Sequence, residues 1–145
     1  MEITKMSIKD LESISTILEI EFDDFWNYNI LKNELQNPNS LYIVCKDSDE
    51  IIGFAGITIT LDTAEINNIV IRKSYRGNGF STPLLENLIN IAKEKKCMKV
   101  NLEVASSNNI AINLYKKFGF EKVGLRKGYY NGEDAILLTK NIFTI

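Results

Sequence analysis

Apolar residues recur along this chain in two rhythms, and the points where one gives way to the other mark out its elements. A short first strand, Glu2 to Met6, is followed by Leu11, Ile14, Ile17, Leu18 and Phe22 at helical spacing. Ser7 and Asp10 resemble a capping box, so a helix from about Ile8 to Glu21 is expected. Asp23-Asp24-Phe25-Trp26 breaks that period, and Asn27 caps a second short helix carrying Leu31 and Leu35, which the Asn37-Pro38-Asn39 turn ends. From Leu41 the rhythm becomes that of strands. Leu41 to Cys45, a polar turn at Asp47 to Glu50 and the run Ile51 to Leu61 predict an antiparallel hairpin, with Glu65 to Ile71 as the next strand.

Pro83 then suits the first turn of a helix, where a missing N–H is no loss. Leu84, Leu85, Leu88, Ile89, Ile91 and Ala92 form its buried stripe, and Lys93 to Lys96 place positive charge at its negative end. Lys99 to Ala105 sets Val100, Leu102 and Val104 against Asn101, Glu103 and Ala105, which predicts a strand with two distinct faces. Ser106 to Asn109 is a polar turn rich in capping residues. Ile110 to Phe118 is a helix with Gly119 as its C′ stop. Phe120 to Tyr129, an Asn131-Gly132 turn and Ala135 to Ile142 make a final hairpin. The order is β-α-α-β-β-β-α-β-α-β-β, an α/β (α+β) chain expected to form one domain over residues 1–145 around a sheet of mixed strand direction.

Composition narrows the chemistry. With 45% hydrophobic residues, 25% charged and a net charge of −2, the chain lacks the basic excess of a broad nucleic-acid surface. There is no histidine, which excludes Ser–His and Cys–His triads. Cys45 and Cys97 sit in apolar settings without zinc or redox spacing, so they are expected to be structural, reduced thiols and no metal is expected. No apolar run is long enough to span a bilayer and the N-terminus has no signal-peptide pattern, so a cytoplasmic protein without a membrane partner is expected.

One stretch stands out against this background. The strand Ile69-Val70-Ile71 runs into the basic, glycine-punctuated turn Arg76-Gly77-Asn78-Gly79-Phe80-Ser81-Thr82, and a helix opens directly after it. Successive turn amides followed by a helix N-terminus combine free donors with the positive end of a helix dipole, which makes a candidate phosphate site. The glycines allow backbone conformations closed to other residues, and Arg76 adds charge. The same glycines would also serve a plain strand-to-helix connection. The stretch is neither a Walker A motif nor the dinucleotide Gly-x-Gly-x-x-Gly.

Arg76-Gly-Asn-Gly-Phe-Ser81 resembles the acetyl-CoA signature Arg/Gln-x-x-Gly-x-Gly/Ala of the GCN5-related N-acetyltransferase (GNAT) superfamily. Downstream, Leu102-Glu-Val104, Ser107-Asn108, Ala111-Ile112, Leu114-Tyr115, Gly119-Phe120, Gly124, Arg126, Tyr129-Tyr130 and Asp134-Ala135 resemble its RimI branch, the ribosomal-protein-alanine and N-terminal peptide acetyltransferases. The resemblance covers Glu65 to Leu138 and, more loosely, the whole chain. It departs at Ser81, where Gly or Ala is usual, at Ala105, where the branch carries arginine, and at Phe25, where proline commonly precedes the tryptophan.

The resemblance implies a mixed, mostly antiparallel sheet of about seven strands flanked by four helices. It implies acetyl-CoA as cosubstrate, held by the turn from Arg76 to Thr82, by the main chain of Ile69 to Ile71 and by Asn108, which can equally cap the following helix. It implies Glu103 as general base and Tyr115 as general acid. That chemistry is sound on its own terms. An α-amino group with pKa ~7.7–8.0 must lose a proton before it attacks a thioester, and a phenol of pKa ~10 can supply one to the departing thiolate. Trp26, Tyr129 and Tyr130 are candidate acceptor-groove residues, their amphipathic rings suiting a peptide cleft or simple packing. Neither cysteine lies in the motif region, so direct transfer is expected. The expected acceptor is a protein N-terminus, with ribosomal protein S18 as one case. A small-molecule amine such as a polyamine, amino acid or antibiotic is the alternative acceptor, and a CoA-binding regulatory module or an ATP-binding module are the readings without transfer.

Overall fold

The computed structural model describes residues 1–22, 26–130 and 132–143, with the side chain of Tyr130 excepted. Phe25 and Asn131, which figure in the sequence reading, lie outside the described residues. The described chain contains β1 (Glu2–Lys5), α1 (Ile8–Ile14), α2 (Tyr28–Gln36), β2 (Ser40–Asp47), β3 (Glu50–Thr60), β4 (Thr63–Ile71), α3 (Ser81–Glu94), β5 (Lys99–Ala105), α4 (Asn109–Lys117), β6 (Glu121–Tyr130) and β7 (Glu133–Asn141). The sheet order is β1-β2-β3-β4-β5-β7-β6, with β4 and β5 parallel at Thr63 to Glu65 and antiparallel pairing in the β1-β2, β2-β3, β5-β7 and β6-β7 ladders. Two compact units divide the chain: Met1–Thr58 with Asn67–Asn90, and Ile59–Ile66 with Ile91–Ile145.

In the first unit the capping box at Ser7 and Asp10 forms as expected, each side chain accepting from the other's backbone N–H. The long first helix expected to reach Glu21 does not form. It stops at Ile14, and the chain re-enters a helical path as a π-turn over Leu18–Phe22. The Ser13 and Ser15 hydroxyls donate to the carbonyls of Asp10 and Glu12, competing for acceptors a longer helix would use. The wider turn still buries Leu18 and Phe22 completely, alongside Leu11, Leu31, Val44 and Phe54 in one apolar cluster. Asn27 caps α2 through Ile30 N–H at 3.0 Å. Trp26 packs half-buried against the same cluster.

In the second unit, β5 follows its predicted bounds and buries Val100, Leu102 and Val104 while Asn101, Glu103 and Ala105 lie on the other face. Its neighbour β7 pairs with β6 in the hairpin expected at the C-terminus. Cys45 and Cys97 are buried free thiols.

Candidate active site

The phosphate-turn residues belong to the first unit. Asn67 donates to Thr58 Oγ1 at 2.8 Å, so it shares a face with Tyr42, whose ring covers Gly56, and Val70 joins Tyr42 in the apolar cluster. Strict alternation would put residues three apart on opposite faces, so an extra residue is accommodated between Asn67 and Val70 as a bulge. Asn68, at this irregularity, is buried and neither amide atom has a hydrogen-bond partner among the described residues. Val70 and Ile71 are buried and Ile69 half-buried, as ordinary core-facing side chains. At the end of β4, Arg72 forms ion pairs with Glu21 of the π-turn and Glu50 of β3.

After a 3₁₀ turn at Lys73–Tyr75 comes the glycine segment. Gly77 and Gly79 have φ of +83° and +79°, and a Cβ at either position would meet open space. These are positions where glycine is needed for its backbone and where the surroundings are clear for a ligand. α3 begins at Ser81, which is half-buried, and a helix of this length presents unsatisfied N–H groups at its start. Thr82 N–H is engaged in the turn, donating to Gly79 C=O at 3.3 Å. Asn78 Nδ2 donates to Tyr75 and Arg76 carbonyls, and the Phe80 ring packs edge-on to Tyr75. Arg76, expected to add charge to a phosphate, has Nε on Ile71 C=O at 2.8 Å and Nη2 on Phe22 C=O at 2.6 Å. Those two donors brace the turn against β4 and the π-turn. Main-chain amides and a helix N-terminus are groups of the kind that bind phosphates.

The proposed acid and base belong to the second unit. Glu103 Oε1 accepts from Arg126 Nη2 at 2.9 Å, while Oε2 is buried with no hydrogen-bond partner among the described residues. Tyr115 occupies the last turn of α4, where the chain ends in a Schellman motif. Phe120 N–H bonds Tyr115 C=O at 3.1 Å, Gly119 N–H bonds Lys116 C=O at 3.0 Å, and Gly119 takes φ +89°. The apolar contact that accompanies this motif is the Tyr115 ring against Phe120, centroids 5.7 Å apart at 62°. The glycine stop read from sequence therefore also fixes the tyrosine. Asn108 does cap α4, its Oδ1 accepting from Ala111 N–H at 3.2 Å. Just upstream, Glu133 accepts from Ser107 N–H at 2.6 Å and from the Ser106 hydroxyl. Hydrogen bonds from the Ser107 side chain and amide hold the Glu133 carboxyl below the usual carboxylate range. Tyr129 is half-exposed with the Arg126 guanidinium 4.7 Å above its ring. The Tyr130 side chain lies outside the description.

Sequence reasoning gave no role to Arg126 or Asn68. Asn68 had a signal, since two asparagines interrupt an apolar strand at Ile66-Asn67-Asn68-Ile69. Arg126 had none beyond the resemblance. Among the described residues no helix is long and apolar enough to cross a membrane, and no group of three His, Cys, Asp or Glu side chains comes together to hold a metal.

The acetyltransferase (GNAT) family profile matches residues 7–120, and the chain belongs to that family. It is 38% identical over 143 residues, 93% of this chain and 95% of the relative, to a Bacillus subtilis protein with the provisional name ribosomal protein bS18-alanine N-acetyltransferase. The Haemophilus influenzae ribosomal protein bS18-alanine N-acetyltransferase is 41% identical over 105 residues, 72% of this chain and 70% of the relative. The crystal structure of the Escherichia coli ribosomal-protein-S18-alanine N-acetyltransferase superposes with a TM-score of 0.89 at 29% identity, covering 99% of this chain and 95% of that one.

Proposed function

We propose that this enzyme acetylates the N-terminal α-amino group of a protein, with the alanine of ribosomal protein bS18 as its acceptor, and that both units serve one acetyltransferase domain over residues 1–145. The acceptor is supported by the 38% identity over nearly the whole of a relative named for that reaction. The chemistry is carried by one observation, the Glu103 carboxylate with one oxygen gripped and the other buried with no partner among the described residues.

In this reading the turn from Gly77 to Ser81 and the α3 N-terminus hold the pyrophosphate of acetyl-CoA. The main chain of Ile69 to Ile71 and the Asn108 amide hold its pantetheine arm. The cosubstrate supplies an acetyl group on a good thiolate leaving group. Glu103 takes one proton from the acceptor ammonium, directly or through water, and frees the amine. As the C–N bond forms and the C–S bond breaks, Tyr115 gives its proton to the departing sulfur and regains one from the reacting nitrogen. Glu103 then releases its proton to solvent, so each turnover yields acetylated amine, CoA thiol and one proton. Trp26 and Tyr129 are proposed to contact the acceptor.

Mass spectrometry of peptides incubated with the protein and acetyl-CoA tests this reading. The expected result is a single acetyl on the α-amino group of a peptide matching the bS18 N-terminus. Preference for polyamines, amino acids or aminoglycosides in competition would move the acceptor to a small molecule. CoA binding without thiol release would remove catalysis altogether.

A further inference from the structure

We infer that Arg126 is the positioning residue that turns Glu103 into a one-sided base, leaving Oε2 as the atom that receives the acceptor's proton. This rests on the reading of Glu103 as the base.

The sheet registers explain how an arginine on β6 reaches a glutamate on β5 across the intervening β7. Directly paired residues share a face, and Ala105, Ala135 and Arg126 form one cross-strand row. Glu103, Leu137 and Gly124 form the next. The sites between Arg126 and Glu103 are thus filled by small side chains on two corners, Ala135 and Gly124. Leu137 presses against Gly124, where a Cβ would come within 3.0 Å of its Cδ1. The guanidinium therefore crosses diagonally and closes on Oε1 at 2.9 Å.

The arginine is itself held. The β6-β7 register shifts between Arg126 and Tyr130, and Gly128 within that shift has φ +65° and donates its N–H to Asp134 Oδ1. That irregularity brings the Tyr129 ring, three residues away and otherwise on the opposite face, beneath the guanidinium. Arg126 stays half-exposed and Glu103 about one-quarter exposed, yet Glu103 Oε2 is buried with no hydrogen-bond partner among the described residues. Leaving a carboxylate oxygen buried and unpaired is costly, and such atoms in folded proteins mark strain, a catalytic role or a bound water or ion. An ammonium, or a water carrying its proton, is the chemical complement of that oxygen, and to reach it the groups that cover Oε2 must move aside when the acceptor binds.

The test is steady-state kinetics of the intact enzyme with acetyl-CoA and an N-terminal peptide. Arg126→Ala should lower kcat about tenfold or more, with KM for acetyl-CoA unchanged and the melting temperature near that of the parent. Arg126→Lys should retain part of the rate, and added guanidinium ion should restore part of it to Arg126→Ala. In a Glu103→Gln background, removing Arg126 should cost almost nothing further, because the two act as one unit. Unchanged kcat in Arg126→Ala, or the same loss with and without Glu103, would overturn the inference while leaving Glu103 as the base. Full activity in Glu103→Gln would instead overturn the base assignment itself.

Discussion

The segment from Ile69 to Thr82 and the β5-β7-β6 ladder with α4 do their work with different parts of the chain. In the first, the groups that matter are main-chain ones. Its glycines are there for positive φ and empty space, its arginine braces carbonyls, and its phenylalanine packs on a tyrosine. In the second, the groups proposed to react are side chains held by other side chains: Glu103 by Arg126, Tyr115 by Phe120. A binding surface made of backbone is sensitive to conformation and tolerant of side-chain identity, whereas a proton-transfer site is the reverse. The two regions should therefore fail in different kinetic constants.

The largest effect should come from Glu103→Gln, with kcat down by about 10²–10⁴ and acetyl-CoA affinity by calorimetry unchanged. If affinity collapses instead, the division of labour is wrong. Tyr115→Phe keeps the ring contact with Phe120 and removes only the hydroxyl. It should lower kcat about 10- to 100-fold, again without weakening CoA binding. The paired change Gly77→Ala and Gly79→Ala should do the opposite. Forcing a Cβ into positive φ costs roughly 1–2 kcal/mol per residue, so acetyl-CoA should bind about tenfold weaker or worse, with kcat at saturation close to the parent value.

Gly119→Ala sharpens the comparison because it is a backbone change in the side-chain region. Its φ of +89° disfavours alanine, and the new Cβ would lie 2.9 Å from Lys140 Nζ, the mobile end of a side chain that can move away. The strain should lower the melting temperature by roughly 3–6 °C and, by loosening the Schellman end, reduce kcat with little effect on acetyl-CoA binding. The smallest effect is on stability alone. Glu133 has a depressed pKa in the folded state, so its stabilising contribution is present above the ordinary glutamate value of ~4.3 and disappears as pH falls through the folded value. Glu133→Gln should accordingly be less stable than the parent near neutral pH, and the gap should narrow in urea titrations at acidic pH.

The turn was legible early because its information is local. Two glycines and an arginine within a few residues, before a helix-compatible run, announce the backbone they will adopt. The same holds for the Ser7–Asp10 box, the Asn27 and Asn108 caps and the Gly119 stop, each of which spans only three or four positions. Arg76 was legible as an arginine at a phosphate turn but not as a brace. Its partners, Ile71 and Phe22, are carbonyls that any residue would provide. The first helix was read as longer than it is because apolar spacing continues through Phe22. A π-turn keeps the same residues buried and leaves no separate signature in the pattern.

By itself, then, the sequence determined the order of elements, their caps and stops, and the glycine turn that suits phosphate. These follow from propensities and hydrogen bonds that act between near neighbours. Only the tertiary structure decided that Arg126 grips one oxygen of Glu103 and leaves the other buried, that Asn68 sits at a bulge with no partner among the described residues, and that Tyr115 leans on Phe120 through the Schellman turn. The pairing of Arg126 with Glu103 depends on sheet register and on the small side chains of Ala135 and Gly124 between them. Register is set by how whole strands bury their faces, and no local stretch of sequence contains it.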